Sequence, residues 1–409
     1  MRDCRYPLSA FAALLLAAPS LAQRTWIVAP QPGPGVDFTD LPPAIAAAAP
    51  GDRIEASGTS SLLATYSSIF VDKALDIEAT QAARLDSIRV ENLPAGQLVR
   101  IAGFRCVTTP TNAAPDNCLL IRNCAGTVLL TSLDVRNSTG DRIDGFRLEN
   151  CAAVVLQDVT TLGNSGGINP GGPALFVNNS SCSLVRCTLR GGDGGGSISN
   201  AAGYRGGDAV QIVSGSMLAA QCTITGGHGG YGFFVPGDGG TAVYNDLLHP
   251  AALSLLASTL TQGLGFVGQS IDGNAVDGVA RVTADCIVTG PLQNGATTVP
   301  AMTTLQSNAN VQQGGTLDLT FEGAAGTLIM LGFDIRAEHR LVPGFAEPWL
   351  LTPNCWLLGY GVLPGSPTTI SYHVPHEPVL HQLSLWFQAA AFEASARATM
   401  TPVAVTRVE

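Results

Sequence analysis

Between residues 117 and 290 the chain repeats one short phrase, and a repeat of that length leaves few folds open. It reads Asn117-Cys-Leu-Leu-Ile-Arg-Asn-Cys124, then Asp144-Gly-Phe-Arg-Leu-Glu-Asn-Cys151, then Pro173-Ala-Leu-Phe-Val-Asn-Asn-Ser180. Looser copies begin at Asp208 and Thr241, so the steps are 27, 29, 35 and 33 residues. A second register runs through Leu133, Val159, Leu189, Ile224, Leu260 and Val288, at steps of 26, 30, 35, 36 and 28. Each unit therefore carries at least two short apolar runs of period two, divided by a polar or glycine corner, with no helical pattern between them. Strands that pass directly into the next unit, with no crossover helix, wind into a parallel β-solenoid. Asn123, Asn150 and Asn179 keep the unit spacing. Their amides are expected to stack at one corner, hydrogen-bonding along the coil axis and satisfying turn backbone.

The N-terminal stretch adds a helix signal. Phe38 to Ile54 begins Phe-Thr-Asp-Leu-Pro-Pro and continues through an alanine run to Pro50-Gly51-Asp52; Thr65-Tyr66 and an apolar strand near Val71 follow. Thr39 or Asp40 can cap a short helix, with Pro42 and Pro43 in its first turn, where a missing N–H costs nothing. With the repeats, this opening resembles the right-handed parallel β-helix family, the pectate-lyase-like superfamily, over residues 36 to 290. The resemblance implies an all-β fold, a right-handed parallel β-helix whose N-terminal helix plugs the open end. Uncovered, that end would expose core and an unpaired strand edge.

Residues 1–22 read as a signal peptide: Arg2 and Arg5, an apolar stretch from 8 to 18, then Ser20-Leu21-Ala22 before Gln23. A secreted or cell-envelope protein is expected, without membrane insertion, because no apolar run of 18 residues occurs. The net charge is −10, Lys73 is the sole lysine, and there is no basic run, which argues against nucleic acid and anionic membrane surfaces. Polyanionic sugars are disfavoured too unless arginines cluster locally. Nine cysteines remain beyond Cys4, with no Cys-x-x-Cys pair. Cys124 with Cys151, and Cys187 with Cys222, fall at equivalent places on neighbouring coils. Strands about 4.8 Å apart permit either free stacked thiols or an inter-coil disulfide. Asn137-Ser-Thr139 and Asn178-Asn-Ser180 match glycosylation acceptors.

The coil phrase stops after Val288, and residues 290–300 read as a linker. The domains expected are 1–22, the signal; 23–295, the capped β-helix; and 296–409, a small antiparallel β-sandwich. The last is read from short strands at 316–321, 327–333, 356–360, 368–373, 383–389 and 403–408. Its closing phrase, with Tyr372 and Trp386, resembles C-terminal β modules of secreted bacterial proteins. His373, His376 and His381 lie there, but Pro375 and Pro378 break helical spacing, so no zinc site is expected.

Segments 138–144, 164–172, 191–208, 226–240 and 262–277 follow equivalent strands, so they should project from one edge of the solenoid, where binding surfaces form. Gly-Gly-Asp is also ordinary turn chemistry. Asp144 and Asp208 occupy the same phrase position two coils apart, with Pro173 between, hence about 10 Å apart. That is slightly beyond the separation of inverting glycosidases and far from the retaining one, though side-chain lean could close the gap; the plainer reading is that both cap a strand entry. Gly227-His228-Gly229 resembles a motif of the polygalacturonase-like hydrolases, whose partner motifs survive here only as Asp144-Gly145 and Gly207-Asp208. The lyases of the superfamily imply a calcium ion, for which Asp141, Asp144 and Asp193 could supply oxygens, with Arg142 or Arg205 as base.

Two functions are expected from these readings. The preferred one is a non-catalytic protein that binds a polysaccharide or cell-surface glycan, or serves an extracellular structural role, with Tyr204, Tyr231, Phe233 and Phe234 stacking on sugar rings. The alternative is a polysaccharide-cleaving lyase or glycoside hydrolase using Asp144, Asp208, Arg205 and His228. No cofactor is expected unless calcium serves the lyase chemistry.

Overall fold

The computed structural model describes residues 24–57, 65–108, 118–137, 144–196, 203–266, 270–299, 301–308, 310–335, 337–341, 348–351, 355–377, 380, 383–393, 398–401 and 404–408. The signal segment, Asp141, Arg142 and His381 lie outside them. The chain divides into two units, Gln23–Pro300 and Ala301–Glu409. No helix among the described residues is long and apolar enough to cross a membrane.

The first unit is a parallel β-helix built from three ladders. One runs from Ile69–Val71 through Leu119–Arg122, Phe146–Glu149, Leu175–Asn178, Val210–Ile212 and Val243–Asn245 to Leu292–Gln293. A second contains Thr127–Thr131, Ala153–Gln157, Ser180–Val185, Gly215–Ala220 and Ala252–Leu256. The third contains Asp134–Asn137, Thr160–Leu162, Thr188–Arg190, Thr223–Thr225 and Thr259–Thr261. In the early coils Leu75–Leu85 and Leu98–Thr108 run through the second and third ladders as single strands. Period-two alternation turns one set of side chains inward, giving a continuous core of Val, Ile, Leu and Cys. Every described cysteine is a free thiol, so the core stacks are thiols and not bridges. The thiol of Cys151 is pushed well up by the Cys124 thiol against it and by burial.

The corners carry the backbone constraint. Between ladders one and two the chain turns through left-handed residues Asn92, Asn123, Asn150 and Asn179, at φ of 59°, 55°, 54° and 46°. Asparagine tolerates this region better than other non-glycine residues. The expected amide ladder is present: Asn150 Nδ2 donates to Asn123 Oδ1 at 3.0 Å, and Asn179 Nδ2 to Asn150 Oδ1 at 3.0 Å. Between ladders two and three a second left-handed series, Ser132, Asp158, Arg186, Gln221 and Ala257, does the same work with no common residue type. The N-terminal helix spans Leu41–Ala47, capped by the Asp40 carboxylate, which accepts from Leu41 N at 2.8 Å. Leu41, Ala44 and Ile45 enter the core from that end.

The expected linker is instead one more turn of the solenoid. Leu292–Gln293 and Ala296–Val299 extend ladders one and two. This coil advances only 16 residues, from Val276 to its partner Leu292, so a search for the longer period passes over it. Asn294 and Gly295, both at positive φ, make the tight corner.

The glycine-rich segments leave the third ladder and return to the first, on one edge as expected. They are not separate loops. Gly163 and Gly166 donate to the carbonyls of Arg190 and Asp193, Gly191 and Gly194 to Thr225 and His228, and Gly226 and Gly229 to Thr261 and Leu264. Every third residue thus bonds the same neighbour, the period of a polyproline-II helix. The returning segments make their own layer: Gly171 bonds Arg205, Gly206 bonds Asp238, and Gly239 bonds Ile271. A third set of bonds stitches the layers together, Gly192 to Gly172, Gly207 to Gly192, Gly227 to Gly207, Gly240 to Gly227 and Gly263 to Gly240, at 2.7–2.9 Å. Backbones this close leave no room for side chains: a Cβ on Gly227 would run into the Gly192 carbonyl, and one on Gly240 into that of Gly207. Glycine is required here by contact between chains, a stronger demand than turn conformation.

The second unit is an antiparallel sandwich. Thr304–Ser307, Thr316–Glu322 and Thr368–His373 form one sheet; Leu328–Asp334, Trp356–Val362, Ser384–Phe392 and Ala404–Val408 belong to the other. Leu319, Phe321, Leu331, Phe333 and Phe387 fill its core. The six strands expected from the sequence are all present, within a few residues at their ends.

Two outcomes are expected. Gly227→Ala should destabilise the β-helix by about 3 kcal/mol, lowering its melting temperature, whereas Gly33→Ala, whose methyl meets nothing within 4 Å, should not. Asn150→Ala, which loses two ladder hydrogen bonds and strains a left-handed position, should cost about 2–3 kcal/mol in denaturant titration. Asn150→Gly keeps the turn and should cost less.

Candidate functional site

Where the returning glycine layer meets the first ladder, one open concavity of about 350 Å³ stands out, lined by Asp144, Arg205, Asp208, Gln211, residues 170–173 and Gly206-Gly207. Its position follows from the register. Phe146 pairs with Leu175 and Leu175 with Val210, so Asp144, Pro173 and Asp208 stack on successive coils. Pro173 presents no long side chain, which leaves the space between the two carboxylates, two strand spacings or about 10 Å.

Both carboxylates are nearly buried, each 8% exposed, and both are ion-paired. Arg147 holds Asp144 at 2.7 Å and Glu149 at 2.6 Å. Arg205 holds Asp208 at 2.6 Å, and the Thr241 N–H donates to the same Asp208 oxygen at 2.7 Å. Burial raises the pKa of Asp144 above its ordinary value, and the Arg147 pairing does not fully offset it.

Residues the sequence analysis passed over complete the surface. Arg147, Phe176, Gln211, Tyr244 and Asp277 form one outward row on ladder one. The Arg147 guanidinium lies over the Phe176 ring, 4.2 Å from its centroid. Tyr244 is half-buried, and its hydroxyl is pushed up by burial and then by Asp246, Asp277 and Asp208. A signal for this row existed: Arg147, Phe176, Gln211 and Tyr244 each occupy the fourth place of their repeat phrase.

The other expected site residues lie elsewhere. Asp193 pairs with Arg190 and accepts from the His228 N–H, and His228 Nδ1 accepts from Leu264 N at 3.1 Å. Both lie in the outgoing glycine layer and do not line the concavity. Tyr204 belongs to the returning layer, its N–H bonded to Gly195 O. Tyr231, Phe233 and Phe234 sit at the far tip of that lobe. Phe233 and Phe234 are 64% and 70% exposed and pack edge-to-face, and Tyr231 meets Phe266 with ring centroids 5.4 Å apart. Thus the structure brings together Asp144, Arg205 and Asp208, and separately Phe233 with Phe234, while Tyr231 pairs with Phe266. Asp141 lies outside the described residues; among those described, no group of three or more His, Cys, Asp or Glu side chains is arranged to hold a metal ion.

No protein-family model and no curated protein matches the chain. Among solved structures, 87% of the chain aligns with 61% of the enzymatically active domain of tailspike protein 2 from bacteriophage CBA120, at 10% identity and a TM-score of 0.28. A further match covers 26% of this chain and 80% of the superoxide reductase (neelaredoxin) of Ignicoccus hospitalis, at 14% identity and a TM-score of 0.18. Both superpositions are too loose to bear on fold or activity, which rest on this chain's own strand pairing and side chains.

Because folding raises its pKa, Asp144 stabilises the fold fully below its unfolded pKa, and that contribution is lost as pH rises through the folded value. Carboxyl NMR should show Asp144 titrating above the ordinary 3.8. Asp144→Asn should remove this part of the pH dependence of unfolding.

Proposed function

We propose that this is a non-catalytic β-helical protein of the extracellular space or cell envelope that binds polysaccharide. The observation that carries the reading is the concavity in which both carboxylates are closed into arginine pairs beside an outward row containing Phe176 and Tyr244. General acid–base catalysis needs a group free to exchange a proton with substrate. A paired carboxylate and guanidinium instead offer fixed acceptors and donors to sugar hydroxyls, and the rings offer apolar faces. The returning glycine layer joins this concavity to the aromatic tip. From Val235 to Thr241 it covers about 20 Å at the polyproline-II rise, long enough for several sugar units to lie along a support with few side chains in the way.

One observation favours the second reading, cleavage by an inverting mechanism. Asp144, with its raised pKa, stands two coils from Asp208, close to the spacing that lets a water act between an acid and a base.

Screening a glycan array and a panel of soluble polysaccharides separates the two. Binding without new reducing ends or unsaturated products is expected. Replacing Phe233 and Phe234 together by Ala should weaken binding about tenfold and leave the melting temperature nearly unchanged, since exposed side chains contribute little to the fold. Turnover that disappears in Asp144→Asn would establish the hydrolase reading instead.

A further inference from the structure

The charge of the ligand follows from how the ions of the concavity are already committed, a step that rests on the carbohydrate-binding reading above. An anionic sugar such as a uronate needs a guanidinium or a cluster of N–H groups still open to its carboxylate. Both described arginines here are already charge-compensated by carboxylates. Arg205 gives Nη2 to Asp208 and to Thr241 Oγ1 at 3.3 Å, while Nη1 leans on the same carboxylate at 3.4 Å. Arg147 is shared between Asp144 and Glu149 and lies flat on Phe176.

Beyond these pairs the local balance is negative. Asp246 and Asp277 join Asp208 in raising the Tyr244 hydroxyl, and Arg205 opposes them there. The sole lysine, Lys73, bonds the Ala48 carbonyl at the helix-capped end. A carboxylate entering the concavity would meet the paired oxygens of Asp144 and Asp208 at short range and find no unpaired cation among the described residues that line it. Like charges confined in a partly dry site repel strongly, because the low local dielectric screens them poorly.

Hydroxyl groups suit the same lining. They donate to the carboxylate oxygens and accept from the remaining guanidinium N–H groups, and the Gln211 amide can do either. Gln211 lies between Phe176 and Tyr244 in the outward row, so a sugar hydrogen-bonded there has an aromatic ring on each neighbouring coil. We propose that the concavity between Asp144 and Asp208 selects an uncharged sugar unit of a neutral polysaccharide and rejects uronates, with Gln211 as the specificity-determining contact.

Calorimetry on the mature chain tests this with three probes: neutral glucan, mannan, xylan and galactan oligosaccharides; oligogalacturonate; and cationic glucosamine oligomers. At least one neutral oligosaccharide should bind, oligogalacturonate should not, and Gln211→Ala should weaken the neutral ligand about tenfold. Asp208→Asn releases Arg205 while leaving the Thr241 N–H an oxygen acceptor, so this variant should gain salt-sensitive binding of oligogalacturonate. Its fold is checked by circular dichroism and melting temperature, and Gln211→Ala provides an independent readout should it fail to fold. Binding of oligogalacturonate by the unaltered protein, preference for the cationic oligomer, a neutral ligand indifferent to Gln211→Ala, or a folded Asp208→Asn that still rejects uronate would each overturn the inference. Loss of selectivity alone leaves the carbohydrate reading standing; absence of binding to every glycan would remove that reading as well.

Discussion

Everything in the first unit is tied to the hydrogen-bonded distance between neighbouring parallel strands, about 4.8 Å. Once coils stack at that spacing, a side chain is fixed above its counterpart in the coil below, and each position along the coil becomes a column. Apolar columns make the core, and the asparagine column makes a corner whose amides bond one another. The glycine segments obey the same spacing with a different backbone. Their period of three lets each segment bond neighbours on several sides, so two layers that belong to no sheet are held by backbone hydrogen bonds, as the ladders beside them are.

That rigidity gives the candidate site its form. The concavity exists because Asp144 and Asp208 are separated by a coil that puts proline, not a long side chain, at the same position. Burial alone would disfavour the two charges. The arginines that neutralise them are close in sequence, Arg147 three residues after Asp144 within its phrase and Arg205 three residues before Asp208. The result is a polar surface of fixed donors and acceptors between aromatic rings, supported by a lobe whose glycines cannot be enlarged without parting its chains.

Much of this was legible in the sequence. The repeat gave the coil, Asn123, Asn150 and Asn179 gave one corner, and Asp40 with Pro42 and Pro43 gave the capping helix. Each signal is local: the residue type itself prefers the conformation it occupies. The second corner was not legible, because Ser132, Asp158, Arg186, Gln221 and Ala257 share no chemistry and are forced into left-handed backbone by strands on either side. The last coil escaped notice because it is short. Gly191-Gly192-Asp193-Gly194-Gly195 and Gly226-Gly227-His228-Gly229-Gly230 show the three-residue period plainly, yet they read as ordinary turn chemistry until the segments packed against them are known.

The sequence by itself determined which positions repeat, and therefore the solenoid, its core and the stacking of Asp144 over Asp208 with Pro173 between them. These follow from periodicity, which each segment carries without reference to its neighbours. Only the tertiary structure decided that both carboxylates are closed into arginine pairs, that the row from Arg147 to Tyr244 faces outward beside them, and that His228 and Asp193 belong to a separate layer. Those facts depend on which backbone lies next to which. In the glycine lobe that is set by hydrogen bonds between residues 13 to 35 positions apart, which no single segment encodes.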